Sequence, residues 1–231
     1  MTTRVPVICI DGPSGAGKGT ISQRLSTQLH WHLLDSGALY RVVGHACTLA
    51  GAAWDDVPAV TAIARNLDVA FSSTEAGVAV ALSGEDVTDA IRSEFGGQGA
   101  SAVAVIPEVR EALLARQREF ARAPGLIADG RDMGSVVFPD APLKIFLTAS
   151  AEARAERRQV QLMQRGESVS LPRLLGAIQE RDARDSNRDA SPLVPADDAT
   201  TIDSTRLSID AVLSRVLNEA ASRGLVERTS E

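Results

Sequence analysis

The run Val5–Pro6–Val7–Ile8–Cys9–Ile10 is apolar at every position and predicts a central parallel strand, buried on both faces. It is too short to cross a membrane or to form a secretion signal. A glycine-rich turn follows. From Lys18 to His30, apolar Ile21, Leu25 and Leu29 recur at helical spacing, so strand, turn and helix make the first half of a βαβ unit. Ala38 to Leu49 reads as a second helix. The buried-strand signature returns at Leu126–Ala128, Leu143–Leu147 and Thr200–Ile202. Helical patterns flank these runs at Pro107–Arg122, Ala151–Arg165, Leu171–Arg188 and Ser208–Ala221. The alternation predicts an α/β fold with a doubly wound parallel sheet, forming one domain over residues 1–231. One interval breaks the rhythm. Between Asn66 and Ser93, alternating Leu67–Phe71 and Val78–Leu82 flank Thr74–Glu75–Ala76–Gly77, which predicts a small antiparallel β insertion within about residues 66–100.

Composition narrows the partners. The 231 residues are 44% hydrophobic, 23% charged and only 3% aromatic, so the core is aliphatic, as suits helices on a parallel sheet. The net charge of −6 offers no general attraction for polymeric nucleic acid or a membrane surface. Arginine nonetheless far outnumbers lysine, and its planar fork grips oxyanions. Cys9 and Cys47 cannot make a disulfide framework, and His30, His32 and His45 lack metal-ligand spacing, so no structural metal is expected. The expected compartment is the cytoplasm.

The sharpest chemistry lies in Gly12–Pro13–Ser14–Gly15–Ala16–Gly17–Lys18–Gly19–Thr20. Glycines 12, 15 and 17 let successive N–H groups turn toward one anion, and the helix that follows adds its positive end. Lys18 reaches the β- and γ-phosphates of a bound triphosphate, and the Thr20 hydroxyl helps hold Mg²⁺. Gly19 stands between Lys18 and the hydroxyl residue, where the commoner phosphate loop has Ser or Thr directly after Lys. That shifted form resembles the nucleoside monophosphate kinases.

Three further clusters suit a phosphate acceptor. In Asp35–Ser36–Gly37–Ala38–Leu39–Tyr40–Arg41, Ser36 is placed to cap the helix starting at Ala38, with Arg41 early in it. Ala128–Asp129–Gly130–Arg131–Asp132 ends an apolar strand, at the carboxyl edge where open α/β sheets bind ligands. There Arg131 can join Arg41 in clamping a monophosphate, and Asp129 can hold a metal-bound water; a structural ion-pair network is the competing arrangement. On Leu171–Arg188, an apolar stripe through Leu174 and Ile178 continues onto Arg181, Asp185 and Arg188, which directs those charges toward a cleft. Ala151–Arg165 carries Arg154, Arg157, Arg158 and Arg165, either a solvated ion-paired face or a lid that brings arginines over a transferring phosphoryl group. Spacing does not choose among the four.

Taken together, Ile10–Thr20, Leu33–Arg41, Pro124–Leu147 and Arg181–Arg188 resemble the bacterial cytidylate kinases, over nearly the whole chain. The resemblance implies a monomeric enzyme that moves the γ-phosphate of ATP, with Mg²⁺, onto CMP and also dCMP. It implies a lid near residues 151–170 and makes the 66–100 insertion part of an enlarged acceptor-binding region. Ser36, Arg41 and Arg131 would hold the acceptor end, and Ser101, Arg110 and Asp132 would face cytosine. Arg181, Asp185 and Arg188 would serve sugar and phosphate. Lys18, Arg131, Arg157 and Arg158 would be catalytic, the last two on the lid, and Thr20 and Asp129 would hold the metal.

The chemistry agrees. Cytosine presents an amino donor where uracil presents a carbonyl, so a carboxylate at Asp132 favours the former. One local departure stands out: Glu94–Phe95–Gly96–Gly97–Gln98–Gly99–Ala100 places three glycines before Ser101, where the family is glycine-poor, and should loosen the backbone that positions Ser101. The alternatives are a broader UMP/CMP kinase or other small-molecule P-loop kinase, a nucleotide-binding switch, and an inactive binding module. Base selectivity separates the first from a cytidylate kinase, and nucleotide turnover separates the other two.

Overall fold

A computed structural model describes residues 5–74, 77–164, 166–187 and 192–227. Its elements run β1 (Val7–Asp11), α1 (Lys18–Leu29), β2 (His32–Asp35), α2 (Ser36–Leu49), α3 (Val57–Arg65), β3 (Val69–Thr74), β4 (Gly77–Leu82) and β5 (Glu85–Asp86). They continue with α4 (Thr88–Arg92), α5 (Glu94–Val103), α6 (Pro107–Arg118), β6 (Leu126–Asp129), β7 (Leu143–Thr148), α7 (Ala151–Gln164), α8 (Leu171–Ser186), β8 (Thr200–Asp203) and α9 (Ile209–Ser222). The chain divides into two compact units, Met1–Leu34 with Phe120–Glu231, and Asp35–Glu119.

The first unit is built on a five-stranded sheet of order β2-β6-β1-β7-β8. β1 lies at its centre, parallel to both β6 and β7, and every residue of β1 is buried. That is why its sequence is apolar until the last position. Ile8, Ile10, Ile127, Ile145 and Leu147 form the middle of the core, with Ile21 and Leu25 from α1 and Val212 and Val216 from α9 packed on it. The parallel register brings strand ends to one edge, pairing Ile10 with Asp129, Asp11 with Phe146, and Thr148 with Asp203. Of the polar residues at those ends the sequence singles out Asp129; Asp11, Thr148 and Asp203 join it at the carboxyl edge, where open α/β sheets bind ligands.

The second unit carries the predicted antiparallel sheet, of order β3-β4-β5, with Val69 opposite Leu82 and Phe71 opposite Val80. Here α2 packs on α5, and the glycines of α5 make this possible. A Cβ on Gly44 would come within 2.9 Å of the Gly99 carbonyl carbon, and one on Gly99 within 3.0 Å of the Trp54 ring. A Cβ on Gly96 would meet the Ile91 oxygen at 2.4 Å. The three glycines therefore do not loosen the start of this segment as expected. They form a helix, capped by the Ser93 hydroxyl accepting from Gly96 N–H at 3.0 Å, and they let its backbone approach its neighbours.

Two further sequence expectations are corrected, and one of the two open readings of the α7 face is narrowed. The cap of α2 is Asp35, which accepts from Ala38 N–H at 3.0 Å; Ser36 is already the first helical residue. On α8 the apolar Leu174 and Ile178 are only half-buried, and the one buried residue is Asp185. On α7, Arg154 is 4% exposed, so that face is not simply solvated. Among the described residues, no helix is long and apolar enough to cross a membrane.

Candidate functional site

In the first unit, Gly12 leaves β1 with φ of 145°, and a Cβ there would lie 2.0 Å from the Leu147 oxygen. Gly15 and Gly17 follow at φ of 81° and 98°, the latter directly before α1. This sequence of left-handed glycines turns backbone N–H groups inward, and only glycine takes it without strain. Lys18 opens α1 and is buried; its ammonium donates to the Pro13 carbonyl at 3.0 Å and lies 4.0 Å from the Asp129 carboxylate.

Burial is the main cause holding the Lys18 ammonium below its ordinary pKa; Asp129 and Asp11 oppose the shift, while Arg131 and Arg181 add to it. Like charges gathered at a buried site are stabilised by an incoming polyanion. Arg131, in turn, donates its Nε–H to Asp185 at 2.5 Å, and Asp185 is 1% exposed. The strand-end segment and α8 are thus joined by an ion pair, the arrangement that competes in the sequence with a phosphate clamp at Arg131. Arg188 and Arg165 lie outside the described residues.

The α7 arginines divide by what they touch. Arg154 donates to Asp182 from both terminal guanidinium nitrogens, to the Ser14 carbonyl from Nη1 at 3.0 Å and to the Ala149 carbonyl from Nε at 3.0 Å. Arg157 donates to the Ser204 carbonyl at 2.6 Å and hydroxyl at 3.2 Å, and its Nη1 lies 3.5 Å from the Ala16 carbonyl. Both therefore hold carbonyl oxygens of the phosphate loop. Arg158 is half-buried, and no hydrogen bond or ion pair joins it to another described residue.

Thr20 is exposed in the first turn of α1, and an Asp129 oxygen lies 3.6 Å from where a Gly19 Cβ would be. A hydroxyl and a carboxylate beside a phosphate loop are hard oxygen donors, which fit Mg²⁺. Among the described residues no cluster of three His, Cys, Asp or Glu side chains is placed to hold a metal. Mg²⁺ needs none, because it retains waters and takes most of its remaining ligands from substrate phosphates.

In the second unit, Arg41 donates to the Ile91 carbonyl at 2.7 Å and the Ser93 carbonyl at 3.3 Å. The Ser36 hydroxyl donates to Gln117 at 2.8 Å, and Gln117 is itself buried. Arg110 stands 5.8 Å from the Tyr40 ring centroid and donates to the Ala104 carbonyl at 3.3 Å. The Ser101 hydroxyl bonds back to the Gly97 carbonyl at 3.0 Å. Ser36, Arg41, Ser101 and Arg110 thus share one unit, and Arg131, Asp132, Arg181 and Asp185 the other.

Residues 8–222 match the cytidylate kinase family. The chain belongs to that family. The cytidylate kinase of Marinomonas sp. (strain MWYL1) is 56% identical over 227 residues, covering 98% of this chain and 100% of that protein. The cytidylate kinase of Sodalis glossinidius (strain morsitans) is 57% identical over 220 residues, covering 95% and 97%. A solved structure of an uncharacterized protein from Eubacterium ventriosum ATCC 27560 shares the fold, with a TM-score of 0.50 at 10% identity over 94% of this chain and 98% of that one.

Sequence reasoning missed three residues that shape this family member's site. Asp11 accepts hydrogen bonds from Met133 and Gly134, Asp182 holds Arg154, and Ser204 bonds the Ala16 carbonyl at 3.1 Å. Only Asp11 left a signal, as the one charge in an otherwise apolar central strand.

Proposed function

We propose that this chain transfers the γ-phosphoryl group of ATP to CMP, releasing ADP and CDP, and that dCMP is a second acceptor. The observation that carries the reading is an identity above one half, end to end, with proteins named cytidylate kinase. The gathered cations and the glycine loop supply the means. The substrates are free nucleotides rather than polymeric nucleic acid, in keeping with a net charge of −6, and the enzyme acts as a cytoplasmic monomer.

In this reading residues 12–20 cradle the ATP phosphates and Lys18 spans the β and γ oxygens. Ser36, Arg41 and Arg131 hold the acceptor phosphate. Ser101, Arg110 and Asp132 read cytosine, while Arg181, Asp185 and Arg188 serve its sugar and phosphate. An oxygen of the CMP phosphate attacks the γ-phosphorus in line as the bond to the β-phosphate oxygen breaks. Arg157 and Arg158, on a lid at residues 151–170, offset charge on the equatorial oxygens. No general base is needed, because the acceptor oxygen is already anionic. Thr20 and Asp129 would hold Mg²⁺, which in such transfers neutralises charge between the β- and γ-phosphates. The insertion at residues 66–100 belongs to acceptor binding.

Asp132, 4% exposed, is the residue on which base choice turns in this reading. Asp132→Ala is expected to lower kcat/KM for CMP by about 100-fold and that for UMP by less than about 5-fold, since only cytosine loses a donor's partner. Steady-state ADP formation with each acceptor checks this. Equal losses on both would remove Asp132 from base recognition.

A further inference from the structure

Asp11 is the last residue of β1 and is 6% exposed, with both carboxylate oxygens committed. Oδ1 accepts from Met133 N–H at 2.8 Å and Oδ2 from Gly134 N–H at 2.8 Å. These two amides directly follow Arg131 and Asp132 and begin a wide turn of π-helical type over Met133–Val137. The first N–H groups of any helical turn lack partners within it, so a side chain from elsewhere must satisfy them if they are buried. A short carboxylate offers each of the two successive amides an acceptor oxygen of its own. An Asn would set its own N–H₂ against one of them.

The setting at both ends is rigid. On one side Gly12 is pressed against the Leu147 carbonyl. On the other, Met133 is fully buried and fills the space beside Gly130, where a Cβ would be 2.7 Å from its Cγ. The Lys144 stem covers Gly134 at 3.0 Å from where its Cβ would be, while the Lys144 ammonium is held by Asp198 and the Pro139 carbonyl. Burial pushes the Asp11 carboxyl up to about 6, and the two N–H bonds pull against that rise. A charge kept in a central strand against such a cost calls for a reason beyond filling space.

We infer that Asp11 is a positioning residue for acceptor recognition: it ties the Arg131–Asp132 segment to the root of the phosphate loop, fixing the two in register. It touches neither substrate; it acts through the peptide groups that follow Asp132. The inference rests on the proposed CMP transfer and adds a residue to it. A purely structural Asp11 would weaken the fold and both substrates together, whereas a positioning Asp11 separates them.

The test compares the unmodified chain with Asp11→Asn and Asp11→Ser. Kinetic constants are measured for CMP, UMP and ATP, Mg·ADP affinity by calorimetry, and thermal unfolding alongside. The expected result in Asp11→Asn is a KM for CMP raised about 10-fold and a CMP-over-UMP preference reduced at least about 10-fold, with Mg·ADP affinity within about 3-fold. Asp11→Ser, which keeps one small acceptor, is read in the same assays and should show the same separation. A folded variant with CMP KM and base preference within about twofold of the unmodified chain overturns the inference, as does a parallel loss of CMP and Mg·ADP binding. Failure of both variants to fold also overturns it, because Asp11 would then be a stability residue. An unmodified chain that transfers nothing to CMP sinks the functional reading itself, and the inference with it.

Discussion

Lys18→Ala should lower kcat for CMP phosphorylation by about 10³ or more while leaving the fold intact, because it removes a preorganised cation from the charge that spreads during transfer. The structure explains why the fold survives. Lys18 is buried, and burial works against its charge, so removing it relieves a desolvation cost. Against that stand the lost bond to the Pro13 carbonyl and the lost proximity to Asp129. The two effects oppose, whereas the catalytic loss has no such offset. Turnover by the variant, with circular dichroism as the control, checks this. Ordinary turnover would refute the role given to the phosphate loop.

Gly12→Ala is expected to fail in a different way, by destabilising the fold by about 4 kcal/mol or more and abolishing nucleotide binding. The added carbon would be 2.0 Å from the Leu147 oxygen, at a φ of 145° that a side chain rarely adopts. The atoms it would meet all belong to the Leu147 backbone, held by the β1–β7 register that pairs Asp11 with Phe146. No rotamer change relieves the clash; either the strands part or the loop swings away. Urea unfolding midpoints and Mg·ADP titration read the two consequences separately. A variant with the parent's midpoint and affinity would mean that the loop root is softer than its packing indicates.

How much of this was legible in the sequence follows from burial. β1 and β6 are buried at every position and β7 at four of six, so their largely apolar runs announced them. β2 carries no such run, because only Leu34 of His32–Asp35 is buried. The wide turn at Met133–Val137 has no sequence period to betray it. The glycines of α5 read as loosening, since propensity cannot see that α2 would lie against them. Charge was legible where partners were not. Arg154 stood out as a basic residue on a helix, but its bonds reach Ser14 and Asp182, 140 and 28 positions away. Asp11 lay inside the most recognisable motif of the chain and was overlooked, because its partners are backbone amides, which no residue type encodes.

The most direct test of the account is the fate of the γ-phosphate. Label carried in Mg·ATP would be followed through incubations with CMP, dCMP, UMP, dTMP, AMP and GMP, with a control lacking acceptor. Label should appear in CDP and dCDP, little with the other acceptors, and almost no free phosphate should form in the control. Label spread evenly over several bases would leave a kinase but contradict cytosine reading by Asp132 and Arg110. Phosphate released without an acceptor, or no ATP turnover at all, would contradict the transfer itself.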